Sequence, residues 1–193
     1  PCRSTLSYAN AHRPAALFEE LFYATLERFR KVGHLGHFKP FRFKNKLLTL
    51  DATTVTLCLA LFPWARYQRT KGGIKLHVLL NGDDYVPEYV VLSEARRADV
   101  RVAQDLSLPR DSIVVMDRAY IDFDMLERWT LRGVYWVTRS KTNLEFLVHE
   151  RREVPKTGGI LRDEIVVRTV EMIAAGQHFR QFIRRIVVKG VEP

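Results

Sequence analysis

The sequence predicts an α/β fold: a mixed sheet of three antiparallel strands followed by parallel strands with crossover helices. Three observations carry this. Apolar residues alternate with a period of two from Leu47 onward, and again through Ile74, Leu76, Val78 and Leu80. Asn81-Gly82 then supplies a tight-turn signal before a further strand at Tyr89–Leu92. Finally, two short apolar runs, Ile113–Met116 and Val134–Val137, enclose a helical stretch, the mark of parallel pairing through a crossover.

Each element has a local reason. Pro14 to Lys31 reads as an amphipathic helix. Leu17, Phe18, Leu21, Phe22, Leu26 and Phe29 recur at steps of three and four, Pro14 suits a first turn and Gly33 a stop. The link Lys39–Lys46 mixes bases with aromatics, which suits either a phosphate backbone or a solvated loop. Leu47–Leu50 leads directly into Asp51, and Ile113–Met116 directly into Asp117. Arg97–Leu106 and Phe123–Leu131 read as the helices on either side of the fourth strand, with Asp122 and Asp124 as caps of the second. Beyond Asn143, charged and β-branched stretches at Glu164–Val170 and Ile183–Val188, with Gly158-Gly159 nearby, suggest short strands of a separate β-rich piece. The expected organisation is a helical segment at 1–40, a catalytic-type core at 41–143 and a β-rich piece at 144–193.

Charge points to a polyanion. Lys and Arg number 31 against 22 acids, a net +9. The excess lies at the ends: residues 1–50 hold nine bases and three acids, and residues 151–193 nine and five. Basic flanks around a nearly neutral middle suggest a partner gripped by the ends, although many basic proteins bind no nucleic acid. Two cysteines, Cys2 and Cys58, lack both disulfide-framework and zinc-ligand spacing, which fits a reducing compartment. No run approaches the roughly 18 apolar residues of a membrane span. The opening PCRSTLSYANAHRP has no apolar signal core. Trp64, Trp129 and Trp136 read as core residues.

Asp51 and Asp117 are the candidate catalytic and metal-binding residues. Carboxylates at strand ends of an α/β sheet face the crevice where such folds bind ligands. Taken singly, each is a plausible cap or turn residue. Taken together, on strands expected to be neighbours, they form the paired oxygen donors that Mg²⁺ accepts while keeping waters for substrate phosphates. Candidate contacts to such a polyanion are Arg66, Arg69 and Lys71, then Lys75 on a strand face it shares with His77, and Arg118 beside Asp117. Arg118 and Tyr120 suit phosphate contact and packing about equally.

The segments LSYANAHRP, FKNKLLTLDATTVTLCLALFPWARYQRTKGGIKLHVLLNG, VVMDRAYIDFDMLERW and GVYWVTRSKTN resemble DDE transposases of bacterial insertion sequences, in the group named after insertion sequence four. The resemblance spans most of residues 4–145. It implies an RNase H-like catalytic fold, with Asp51 as the first acid of the triad and Asp117 as the second. It further implies two Mg²⁺ ions, with Mn²⁺ as a substitute, and cleavage and strand transfer on double-stranded DNA at element ends and target. A homodimer in the complete enzyme and a bacterial cytoplasmic location, on the nucleoid when DNA-bound, follow from the same source.

The departure from that family lies downstream. Its third acid is a Glu on a helix in a Tyr-x-x-Arg-x-x-x-Glu setting, and no such run occurs before Pro193. Glu145, Glu150, Glu153, Glu164, Glu171 and Glu192 all lack that neighbourhood. Glu171 would be a stand-in only if the stretch from Val170 to Arg185 were helical. The expectation is therefore a chain that stops inside the β-rich insertion and is inactive alone. Its alternatives are a catalytically dead DNA-binding or assembly module and another RNase H-like nuclease. A β-rich piece ending midway should leave strand edges and apolar side chains uncovered after about residue 145.

Overall fold

The computed structural model describes residues 3–32, 41–57, 72–142, 144–171 and 178–190. Two compact units divide the chain, Pro1–Arg139 and Ser140–Pro193. Leu59, where the alternation that starts at Leu47 continues through Val55 and Leu57, and Trp64, expected in the core, lie outside the described residues.

The first unit opens with α1 (Arg3–His12) and α2 (Ala15–Val32). Within the helical segment expected at 1–40, α1 was not singled out as an element, because its polar sequence carries no apolar period. It is tied locally by His12, whose ring stacks on Tyr8 at 3.9 Å between centroids. Along α2 the expected apolar stripe forms, but only Leu26 is buried. The helix is fastened to the sheet edge by Tyr23 Oη, donating to the Val90 carbonyl at 3.3 Å, and by Arg30, donating to the Pro87 carbonyl at 3.2 Å.

Five strands follow in one sheet: β1 (Leu47–Leu57), β2 (Gly72–Asn81), β3 (Pro87–Glu94), β4 (Ile113–Met116) and β5 (Tyr135–Thr138). Their spatial order is β3-β2-β1-β4-β5. The pairs β1–β2 and β2–β3 are antiparallel, whereas β1–β4 and β4–β5 are parallel. The fold is thus mixed α/β, with β1 at the centre and the antiparallel and parallel halves meeting on it. The helices α3 (Asp99–Gln104) and α4 (Phe123–Leu131) flank β4 in the chain. Asp122 caps α4 by accepting from the Met125 N–H at 2.9 Å. At its other end Gly133 takes a positive φ of 77°, a conformation a Cβ would strain, and closes the helix with a bond from its N–H to the Thr130 carbonyl. Asp124 lies inside the first turn rather than at the cap.

Side chains alternate across the sheet. Leu48 and Leu50 of β1, Leu79 of β2, and Val114 and Met116 of β4 share one face, packed in the core with Met125, Leu126 and Trp129 of α4. Trp136 packs against that core in part and donates its indole N–H to Thr130. The β2 alternation marks Ile74, Leu76, Val78 and Leu80 as one apolar face, but all four are only half-buried, whereas His77 and Leu79 on the other face are buried.

The second unit is an antiparallel meander of β6 (Leu147–Arg152), β7 (Ile160–Glu171) and β8 (His178–Val188). Two of these strands are long, not short. Glu171 ends β7 opposite His178, and Phe182–Arg185 belong to β8, so Glu171 sits on a strand and the condition for its standing in as the third acid is not met. The sequence hid their length because cross-strand ion pairs replace part of the apolar alternation. Arg184 binds Asp163 through two bonds, at 3.0 and 2.6 Å, and Arg185 binds Glu164 at 3.1 and 2.6 Å. Val166 and Val167 are buried, while Leu147, Leu161, Phe182 and Val188 are exposed.

These pairs make the second unit sensitive to acid. Hydrogen bonds from Arg184 and Arg185 hold the Asp163 and Glu164 carboxyls below their ordinary values of 3.8 and 4.5. A depressed carboxyl contributes stability that is present above its unfolded value and lost as pH falls through its folded one. Amide protection along β7 and β8 should therefore hold steady from neutral pH to about pH 5 and decline below about pH 4. Exchange measured across that range checks it, and protection that is unchanged down to about pH 2 would contradict it.

Candidate functional site

The two acids meet at the centre of the sheet. The parallel pair β1–β4 runs in register from Leu47 opposite Ile113 to Leu50 opposite Met116. The next residues on each side are Asp51 and Asp117. Adjacent strands lie about 4.8 Å apart, so the two acids stand at the same level on neighbouring backbones. Leu50 and Met116 are buried, and period-two alternation turns Asp51 and Asp117 to the opposite face, where both are exposed.

One detail of the expectation is corrected. Asp51 does not end its strand, because Thr53, Thr54 and Val55 carry β1 on to Leu57. It directly follows the stretch paired with β4, which ends at Leu50. Beyond it, β1 pairs with β2 alone, which opens one side of Asp51 where the chain leaves β4.

Asp117 is held by its own turn. Its side chain accepts from the Arg118 N–H at 2.6 Å and caps a 3₁₀ turn, Arg118–Tyr120. Arg139, just past β5, reaches the same oxygen at 3.2 Å. The Arg118 N–H first, and then Arg139, draw the Asp117 carboxyl below the ordinary carboxylate range. Arg139 is a cationic neighbour that sequence reading missed; its only signal was a basic residue one position past an apolar strand.

Several other candidates fall elsewhere. Lys75 faces the core side with His77, since these residues pair with Thr54 and Ala52 and not with Asp51. Its ammonium is bound to Asp99 at 2.7 Å. The expectation of a cationic strand face beside the acids is therefore corrected: β2 turns Lys75 and His77 away from them. Tyr120 is also buried, not free for phosphate, with its hydroxyl 3.3 Å from His77 Nδ1. Burial foremost, then the charges of Asp99, Asp51 and Asp117, raises the Tyr120 phenol above its ordinary range, so both candidate acids act on one hydroxyl. Arg118 is exposed next to Asp117. Arg66, Arg69 and Lys71 lie outside the described residues. Among the described residues, no group of three or more His, Cys, Asp or Glu side chains stands placed to hold a metal ion. No described helix is long and apolar enough to cross a membrane.

The mixed sheet thus brings two carboxylates to the end of its central parallel pair. Residues 42–185 match the family model described as the transposase DDE domain, and the chain belongs to that family. It is 32% identical over 116 residues to a probable transposase for insertion sequence element IS5377 of Geobacillus stearothermophilus, covering 60% of this chain and 30% of the relative. It is 24% identical over 193 residues to putative transposase y4zB of Sinorhizobium fredii, covering 100% of this chain and 52% of the relative. The chain thus spans about half, or less, of the length of these curated relatives. No solved structure matches it significantly.

Proposed function

We propose that this chain supplies two of the three catalytic carboxylates of a bacterial insertion-sequence DNA transposase, with Asp51 and Asp117 as metal ligands. The observation that carries the reading is their juxtaposition: same level, same face, adjacent parallel strands, within a chain of the transposase DDE family. The strand order agrees with an RNase H-like core, and the sequence blocks quoted above favour the insertion sequence four group.

The donor set fits a hard divalent cation. Both residues are exposed carboxylates, and Mg²⁺ is typically held by one or two carboxylates together with substrate phosphates. Mn²⁺ would be accepted by the same oxygens. When bound, such ions supply Lewis-acid stabilisation to an in-line phosphodiester displacement. The chain's own residues do the rest. β1 and β4 fix the separation of the acids, the Arg118 N–H orients Asp117, and the exposed guanidinium groups of Arg118 and Arg139 stand where a DNA phosphate would approach. Arg66, Arg69 and Lys71 are further proposed contacts to the duplex. We read 1–40 as a helical segment, 41–143 as the catalytic core and 144–193 as part of a β-rich insertion. A homodimer on double-stranded DNA in the bacterial cytoplasm, at the nucleoid, completes the reading.

A second reading has its own observation. The 193 residues contain no Tyr-x-x-Arg-x-x-x-Glu run, and no third acid joins the pair among the described residues. On its own, the chain would then bind DNA and assemble without cutting. A nicking assay on supercoiled DNA carrying an insertion-sequence end separates these. We expect duplex binding whose affinity falls steeply with added salt, and cleavage at background with either Mg²⁺ or Mn²⁺. Metal-dependent nicking that disappears in Asp51→Asn and Asp117→Asn would show that this chain is active alone. Absence of any DNA binding at low salt would remove the transposase reading for this chain.

A further inference from the structure

We infer that Tyr120 and His77 are positioning residues: their hydrogen bond straps the Asp117 turn to β2 beneath β1 and so fixes Asp117 against Asp51. The inference rests on the reading of those two acids as a metal site.

The strap is visible in the connectivity. Asp117 caps the 3₁₀ turn that Tyr120 ends, and the Tyr120 N–H returns to the Asp117 carbonyl at 3.0 Å. Tyr120 is 1% exposed, and its hydroxyl meets Nδ1 of His77, itself 0% exposed, at 3.3 Å. His77 lies on β2, whereas the Tyr120 turn follows β4, and in the sheet β1 separates those two strands. The bond therefore crosses under β1. It does so at the level of Ala52, the direct partner of His77 and the neighbour of Asp51. Ala52 presents only a methyl group on that face, which leaves the passage a phenol needs.

The proton arrangement follows from the other end of the chain of bonds. Ser93 Oγ lies 2.9 Å from His77 Nε2 and has the Glu94 carbonyl at 3.4 Å as an outlet for its own proton, so the strap takes the tautomer in which Nε2–H donates to Ser93. Nδ1 then carries no proton and accepts from the Tyr120 hydroxyl. The relay runs from Tyr120 to His77 to Ser93 and ends on β3. The turn, β2 and β3 are thereby tied together by bonds that all point one way. A buried network of this kind, with each named bond satisfied, restrains geometry as well as adding stability. Packing alone would need neither the hydroxyl nor the imidazole nitrogen.

Mn²⁺ titrated into the 193-residue chain tests this, read as paramagnetic broadening of the amide resonances around Asp51 and Asp117. Tyr120→Phe removes only the hydroxyl. His77→Asn keeps an acceptor where Nδ1 stood, whereas His77→Gln keeps a group only where Nε2 stood. We expect Tyr120→Phe and His77→Gln to weaken Mn²⁺ binding roughly tenfold, and His77→Asn to stay within about twofold of the parent, by analogy with partners that orient metal ligands. Equal Mn²⁺ affinity in Tyr120→Phe, His77→Gln and the parent, with binding lost in Asp117→Asn, overturns the strap and leaves the metal site standing. An equal loss in His77→Asn and His77→Gln also overturns it, since the acceptor would then not matter. Unchanged binding in Asp117→Asn removes the metal-site reading and the strap with it. A measurement on the unaltered chain guards against misfolded variants. The amides of Arg118 and Tyr120 should exchange as slowly as those of β4, and rapid exchange there means no strap exists.

Discussion

Replacing Asp117 by Asn, or Asp51 by Asn, should lower divalent-cation affinity by more than roughly a hundredfold, beyond the loss usually seen when only an orienting partner is removed. Each substitution takes away an anionic oxygen ligand from a set of two. The same variants should melt close to the parent. In Asp117→Asn the amide still offers an oxygen to the Arg118 N–H, so the cap of the 3₁₀ turn survives. Asp51→Asn changes an exposed position on a strand whose neighbouring side chains face the core, and it removes the repulsion between two like charges at one level. Loss of metal binding without loss of stability is the signature of residues kept for chemistry. Calorimetric titration with Mn²⁺, alongside thermal unfolding, reads both quantities. A fall in melting temperature with metal affinity intact would instead make the acids structural.

The largest effect on stability is expected one residue earlier. Leu50 is 1% exposed, paired between Leu79 and Met116 in the centre of the core. Leu50→Ala should cost about 3 kcal/mol, through lost burial and the cavity left behind. For a chain of this length that lowers the melting temperature by roughly 6–12 °C. Leu92→Ala is the control. Leu92 is 64% exposed on β3, and its truncation should change stability by less than about 0.5 kcal/mol. Equal losses at the two positions would contradict the assignment of the core face. The pairing also bears on the site, because Leu50 and Met116 are the last registered pair below the two acids.

Much of this arrangement was readable from the residues. Ile113–Met116 and Phe123–Leu131 form as the sequence predicts, because a pure apolar run closed by Asp117 and a helix opened by Asp122 each carry their own boundary. The order of strand and helix signals predicted which strands run antiparallel and which parallel. The continuation of β1 past Asp51 was signalled by the alternation at Val55 and Leu57, and Thr53, Thr54 and Val55 favour extended backbone. Other features were not readable. The long β7 and β8 strands carry Asp163, Glu164, Arg184 and Arg185 where alternation would place apolar residues, so their pairing became visible only with the ion pairs. On β2, both faces carry apolar residues, and the alternation could not tell that His77 faces inward. A buried imidazole is tolerated there because Tyr120 and Ser93 satisfy both of its nitrogens.

The candidate site shows the same division. The acids were legible because each follows an apolar strand and because those strands were expected to be neighbours. Arg139 was not, since a contact across two strand ends depends on sheet order and leaves no local pattern. Lys75 was misplaced for the reason that misplaced His77: in a strand with apolar residues on both faces, period two defines two faces without saying which one meets the acids.

If Asp51 and Asp117 share a divalent cation, Mn²⁺-soaked crystals will reveal it. An anomalous-scattering peak is expected at the end of the β1–β4 pair, in contact with a carboxylate oxygen of each residue at about 2.0–2.2 Å, as hard-cation coordination requires. Well-ordered crystals in which the two carboxylates point to opposite faces, with no peak between β1 and β4, would contradict it.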